Sequence, residues 1–101
     1  MSKNKKTRVL IGCLLFRDFT GSEMYVYELA KNLLKLNCDV TITSPNIGGK
    51  LTEKAIKLGI NVINITNIST SVDYDVIHCQ HTPIVEYLVK LFPLTKKICT
   101  I

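Results

Sequence analysis

The sequence predicts an α/β fold: one parallel sheet of about five strands between two layers of helices, a three-layer Rossmann-like arrangement. Three observations predict it. Short apolar, strand-like runs alternate with segments of helical periodicity along the whole chain. The first run, Arg8 to Leu15, is apolar almost throughout instead of alternating, which marks a strand buried on both faces. The loops between runs carry Gly, Pro, Asn and Ser, the residues that punctuate such units.

In order, the first strand spans residues 8–15, and Gly12 lies inside it. A helix follows over 22–36, where Val26, Leu29, Ala30, Leu33 and Leu34 form one apolar stripe and Lys31, Asn32 and Lys35 the opposite face. Thr20 and Glu23 have capping-box spacing: the Thr20 hydroxyl accepts from the Glu23 N–H and Glu23 reaches back. Asn37 tolerates the left-handed stop after the last turn. The second strand is Asp39 to Ser44, and a loop with Gly48-Gly49 leads to a short helix over 51–58, stopped by Gly59. The third strand is 60–65, the fourth 75–79, and the fifth 97–101. Thr82-Pro83 opens the helix between the last two, with Pro at its first position and Pro93 at its end. Right-handed crossovers give the strand order 3-2-1-4-5. The switch point then lies between strands 1 and 4, and the ligand crevice at their carboxyl ends, with residues 16–22 on one side and 80–83 on the other.

The 101 residues make one domain at most, and 47% hydrophobic content fits a packed core. The net charge of +5 is uneven. Lys3, Lys5, Lys6 and Arg8 have no acidic company, while residues 9–101 hold nine basic and eight acidic groups. Residues 1–7 are expected to be a disordered, solubilising leader; contact with nucleic acid or anionic lipid is the other reading of that charge. No secretory signal and no membrane-length apolar run occur, so a cytoplasmic protein is expected. Cys13, Cys38, Cys79 and Cys99 have no C-x-x-C spacing and are expected as small core residues, not as a disulfide frame or a zinc site.

The loop Thr20-Gly21-Ser22-Glu23 joins the first strand to the first helix, a geometry that leaves free N–H groups for an anion. It is not a dinucleotide fingerprint, since Gly21 stands alone, and no G-x-x-x-x-G-K-[ST] occurs. Gly21 is either the turn into the helix or the approach to a phosphate. His78 is a satisfied strand histidine or a ligand contact; His81, just past the strand end, is placed for a sugar or phosphate. Two histidines three apart with no further cluster make no tetrahedral metal site, and Cys79 with His81 lacks a third, orienting group. Phe16, Phe19, Tyr25 and Tyr27 surround the loop, with Phe19 and Tyr25 expected to be the exposed pair. Asp18 and Glu23 are a carboxylate pair that capping explains better than acid–base work.

Thr20-Gly21-Ser22-Glu23, Tyr27-Glu28-Leu29-Ala30 with Leu33, and Asn37-Cys38-Asp39-Val40-Thr41-Ile42, together with Asp75-Val76-Ile77-His78, His81-Thr82-Pro83 and Lys97 to Ile101, stand in an order and spacing that resemble a known pattern. It is the start of a retaining glycosyltransferase of family 4, with the two-domain GT-B fold. The likeness spans residues 8–101. The chain departs from it at Thr20, where the family has a first loop glycine, at Asn37-Cys38 for Gly-His, and at Gln80 for a second histidine.

The resemblance implies a truncated N-terminal, acceptor-side half of a GT-B fold. It implies a donor-phosphate loop at Thr20, Gly21 and Ser22, a crevice for the acceptor at Phe19, Tyr25 and His81, and no metal or other cofactor. Its partners would be a nucleotide-sugar donor and a glycan or lipid acceptor, as in cell-envelope polysaccharide synthesis, with peripheral contact to the inner membrane face. No nucleic acid is expected. The second domain, with its E-x7-E pair, and the T-x-H histidine after the fifth strand are not in this sequence, so the chain alone is expected to be inactive. The fifth strand is expected to pair with a second copy through residues 97–101, a homodimer that sedimentation would show. Rival expectations are a non-catalytic Rossmann-like binding module, a subunit completed by a separate catalytic chain, and a receiver-like regulator, which the missing acidic cluster disfavours.

Overall fold

The computed structural model describes residues 6–100, with side chains through residue 98. Lys3 and Lys5 of the expected leader and Ile101 of the expected fifth strand lie outside the described residues. The elements are β1 (Arg8–Gly12), α1 (Gly21–Lys35), β2 (Asp39–Ser44), α2 (Gly49–Leu58), β3 (Asn61–Asn64), β4 (Val76–Gln80), α3 (Thr82–Leu91) and β5 (Lys96–Thr100), with a short 3-10 helix at Ile65–Asn67. The described strands form one sheet in the order β3-β2-β1-β4-β5, parallel throughout. The expected α/β class and strand order hold.

The continuous apolar character of β1 has the expected cause. Val9 and Ile11, with Cys13 beyond them, enter the core beneath α1 and α2, packing with Val26, Ala30, Val40, Ile42, Leu51 and Ala55. Leu10 faces the other way, into the core formed by Ile65, Ile77, Cys79, Ile84, Leu88 and Phe92 beneath α3. Gly12 is where α3 presses closest on the sheet: a Cβ there would lie 2.5 Å from Leu88 Cδ1 and 2.9 Å from Ile84 Cγ2.

β1 is shorter than expected, ending at Gly12 and not at Leu15. Past it the backbone follows β2 and then the loop after it: Cys13 N donates to Thr43 O in β2 (3.1 Å) and Phe16 N to Asn46 O in the loop (2.9 Å). α2 begins two residues early, at Gly49. Gly48 and Gly49 have φ of 129° and 64°, and a Cβ on Gly49 would sit 2.5 Å from Arg17 O, so the pair is fixed by both conformation and closeness. Asn37 holds the left-handed position expected of it, at φ 66°. β5 is an edge strand, as expected; Lys96 and Lys97 stand at its start, charges of the kind that discourage strand pairing.

No helix among the described residues is long and apolar enough to cross a membrane.

Candidate functional site: the crevice between β1 and β4

β1 and β4 lie side by side, with Gly12 opposite Cys79 in register. The chain leaves both at their carboxyl ends, the place where a parallel sheet of this order is expected to have its switch-point crevice. Its β1 wall is the segment 13–22 and its β4 wall is Gln80–His81.

The β1 wall is held by Glu23. This side chain is 1% exposed, and its Oε2 accepts from Arg17 N (2.7 Å) and Asp18 N (2.8 Å), while the Thr20 hydroxyl donates to Oε1. Burial pushes the carboxyl up, but the Asp18 N–H, the Thr20 hydroxyl and the Arg17 and Thr20 N–H groups together outweigh it, and the pKa falls below 4.5. Half of the expected capping box forms, since Glu23 reaches back to the Thr20 N–H, and the other half does not. Thr20 is the residue before α1, yet its hydroxyl makes no cap to the helix backbone and donates instead to the carboxylate. A buried charge needs donors more than the exposed helix end does. The wall is braced from behind as well. Arg17 Nη1 donates to Ile47 O (2.6 Å), Leu51 N to Arg17 O (3.3 Å), and the Thr52 hydroxyl to Phe16 O (2.9 Å) while accepting from Gly48 N (2.9 Å).

Gly21 is the first residue of α1. The first intrahelical bond is Met24 N to Thr20 O (2.8 Å), so the N–H groups of Gly21, Ser22 and Glu23 precede the ladder. Gly21 does not have the positive φ of Gly48, Gly49 and Gly59, and a Cβ built on it would meet no heavy atom within 4 Å. Neither backbone conformation nor packing requires a glycine there. Ser22 is exposed.

On the β4 wall, His81 has φ 71° and ψ 123°, a conformation that costs a non-glycine residue on the order of 1–3 kcal/mol. Its Nδ1 accepts from Leu14 N (3.3 Å) across the crevice mouth, which leaves Nε2 to carry the ring proton. Gln80 is buried, and its Nε2 has no hydrogen-bond partner among the described residues. The expected alternative of a satisfied His78 does not hold either. Its Nε2 is also buried without a partner among the described residues, and burial lowers its pKa below 6.5. The His78 ring lies 6.2 Å from that of Tyr25, which places His78 on the α1 side of the sheet. Gln80, two residues on, shares that side. Gly21 is one helical turn before Tyr25 on the same flank of α1.

The expected site residues therefore divide. Gly21, Ser22, Tyr25 and His81 border the β4 side of α1. Phe19 lies on the other flank, over α2, with Lys54 Nζ 5.8 Å from its ring. It is 51% exposed and Tyr25 47%, so both are open, but they face different surfaces. The glycine pair at 48–49 and the buried Glu23 are what the sequence reading missed as determinants of the loop; the doubled glycine was the available signal. Cys13 and Cys38 are free thiols, and no group of His, Cys, Asp or Glu among the described residues could hold a metal ion. Cys13 is buried, and desolvation pushes its thiol up to about 12.

Searches of protein-family models, curated proteins and solved structures returned no match to this chain.

Proposed function

We propose that this chain is the acceptor-side, N-terminal part of a GT-B glycosyltransferase that moves a sugar from a nucleotide-diphosphate donor to a glycan or lipid acceptor. The observation that carries the reading is Gly21: a glycine at a helix N-terminus, beside the switch-point crevice, that neither conformation nor packing explains. The absence of a side chain there gives a phosphate oxygen access to the Gly21 and Ser22 N–H groups and to the positive end of the α1 dipole. Thr20 contributes differently from the two residues that follow it, because its hydroxyl is committed to Glu23. Across the crevice, the His81 Nε2–H and the Gln80 amide are donors for a sugar hydroxyl or a phosphate oxygen.

This wall can orient a diphosphate and exclude water from one side of it, but it holds no group placed to activate a nucleophile. The E-x7-E pair that the resemblance implies for the facing domain does not occur in these 101 residues. The Glu23 charge, in the same first turn of α1, also opposes a second anion. A dissociation constant on the order of 1 mM is therefore expected for a nucleoside diphosphate on this wall alone.

The test is a titration of the 15N-labelled protein with UDP and with nucleotide sugars. Shifts confined to the amides of Gly21, Ser22 and His81 are expected. No perturbation at millimolar ligand would overturn the reading in favour of a non-catalytic Rossmann-like module.

A further inference from the structure

A cavity of about 260 Å³ lies beside α1, apart from the crevice. Its floor is a patch on neighbouring strands: Val9 of β1 is in register with Val76 of β4, and His78 of β4 with Ile98 of β5. Leu29 and Leu33, one turn apart on α1, border it above, and the lining is apolar almost throughout. The gap has a cause in the fold. α1 and α2 pack over β1, β2 and β3 on this face, α3 packs on the opposite face, and no helix among the described residues covers β5 here. Ile98 is accordingly 50% exposed. Of the strand residues in the floor only His78 is polar. Its Nε2 is buried with no hydrogen-bond partner among the described residues, and burial lowers the pKa of the ring below 6.5, which keeps it neutral at neutral pH.

We infer that this cavity binds a small neutral aromatic alcohol, with its ring between the α1 leucines and the strand valines and its hydroxyl on His78 Nε2. Volume sets the size: an apolar cavity of about 150 Å³ stays dry and takes up benzene, so this one holds a ring with a short substituent. The orphan nitrogen sets the polar group. A hydroxyl both donates and accepts, so it satisfies Nε2 in either tautomer of the neutral ring. The apolar side chain of a docking protein would fill the same space and leave Nε2 unpaired. A charged ligand would lose its hydration without a counter-charge. A rigid ring also gives up less freedom on entry than a flexible chain. Nε2 is itself covered, but the His78 ring is only partly buried, so a turn about Cβ–Cγ presents it to the cavity. The inference stands whatever the crevice binds, because Val9 lies about 10 Å along β1 from Gly12 at the crevice end.

The test is a titration of the 15N-labelled full chain with para-ethylphenol and with ethylbenzene, which has the same ring and ethyl group without the hydroxyl. Amide shifts at Val9, Val76 and Ile98, with none at Gly21 and Ser22, are expected for both ligands. The phenol should bind about fivefold more tightly, the worth of one hydrogen bond. His78→Phe keeps a ring in place and removes the nitrogen, so it should abolish that preference while ethylbenzene still binds. Val76→Phe fills the cavity from its floor and should abolish binding of both. A thermal melt of each variant separates lost binding from lost folding. Three results would each overturn the inference: no shift at the cavity amides, equal affinity for the two ligands, or a preference for the phenol that survives His78→Phe.

Discussion

The two walls of the crevice come from one sheet and obey the same inside–outside alternation, yet they are finished to different degrees. On the β1 wall the carboxylate of Glu23, the hydroxyls of Thr20 and Thr52 and the guanidinium of Arg17 all have partners within the fold. On the β4 wall Gln80 Nε2 has none among the described residues, nor has His78 Nε2 two residues before it on the same strand face, and His81 holds a strained backbone with its ring tied to Leu14 N at 3.3 Å. Each unsatisfied buried group costs on the order of 1–3 kcal/mol. The first wall is therefore a scaffold complete in itself. The second carries local cost that a ligand or a packed partner would relieve.

The largest test of that contrast is Glu23→Ala. It leaves the Arg17 and Asp18 N–H groups without their acceptor and a cavity under the loop. A loss of about 3 kcal/mol in urea unfolding is expected, with faster amide exchange at residues 17–20. The pH dependence carries the same information. The folded pKa of Glu23 lies below 4.5, so its contribution is complete above that pH and declines as pH falls through the folded value. A loss under about 1 kcal/mol would mean that the β1 wall is not held by this carboxylate.

His78→Leu probes the opposite wall and should act in the opposite direction. Removing a partnerless ring nitrogen from an apolar cavity lined by Val9, Leu29, Leu33, Val76 and Ile98 should stabilise the protein by about 1 kcal/mol at neutral pH. Burial lowers the folded pKa of His78 below 6.5, so the unfolded chain takes up a proton before the fold does. Stability from this group is complete above pH 6.5 and declines as pH falls below it. The leucine variant should lack that slope. Calorimetric melts at a series of pH values check both, and a destabilised, pH-sensitive variant would show that His78 has a partner in solution.

Much of the architecture was legible because it rests on local pattern. The unbroken apolar run of β1, the stripe on α1 and the Asn37 stop each follow from side chains within a few positions of one another. The loop was less legible because its shape depends on contacts between distant segments. Thr20 and Glu23 have capping-box spacing, but the hydrogen bonds they make are decided by burial of the carboxylate, which spacing does not encode. Phe19 and Tyr25 are six residues apart and both exposed; only the packing of α2 sends one to Lys54 and leaves the other beside β4. The missing partners of His78 and Gln80 are likewise a property of the assembled sheet, since nothing in Val-Ile-His-Cys-Gln marks those atoms as unpaired.

Gly21→Ala gives the smallest effect on stability and the sharpest test of the site. A Cβ at this position has open space around it, and α1 is already helical from residue 21. Alanine restricts the unfolded chain more than glycine does, so the variant should be more stable by about 0.5 kcal/mol. The same methyl group would stand over the N–H groups offered to a phosphate. If those groups bind the donor diphosphate, UDP affinity should fall at least about tenfold, a change of 1.4 kcal/mol against the ligand, while the melt moves upward. Stability and binding would then move in opposite directions at one atom. A variant that gains stability and keeps the UDP-induced shifts at Ser22 and His81 would place the ligand elsewhere on the crevice and leave Gly21 as merely the turn into the helix.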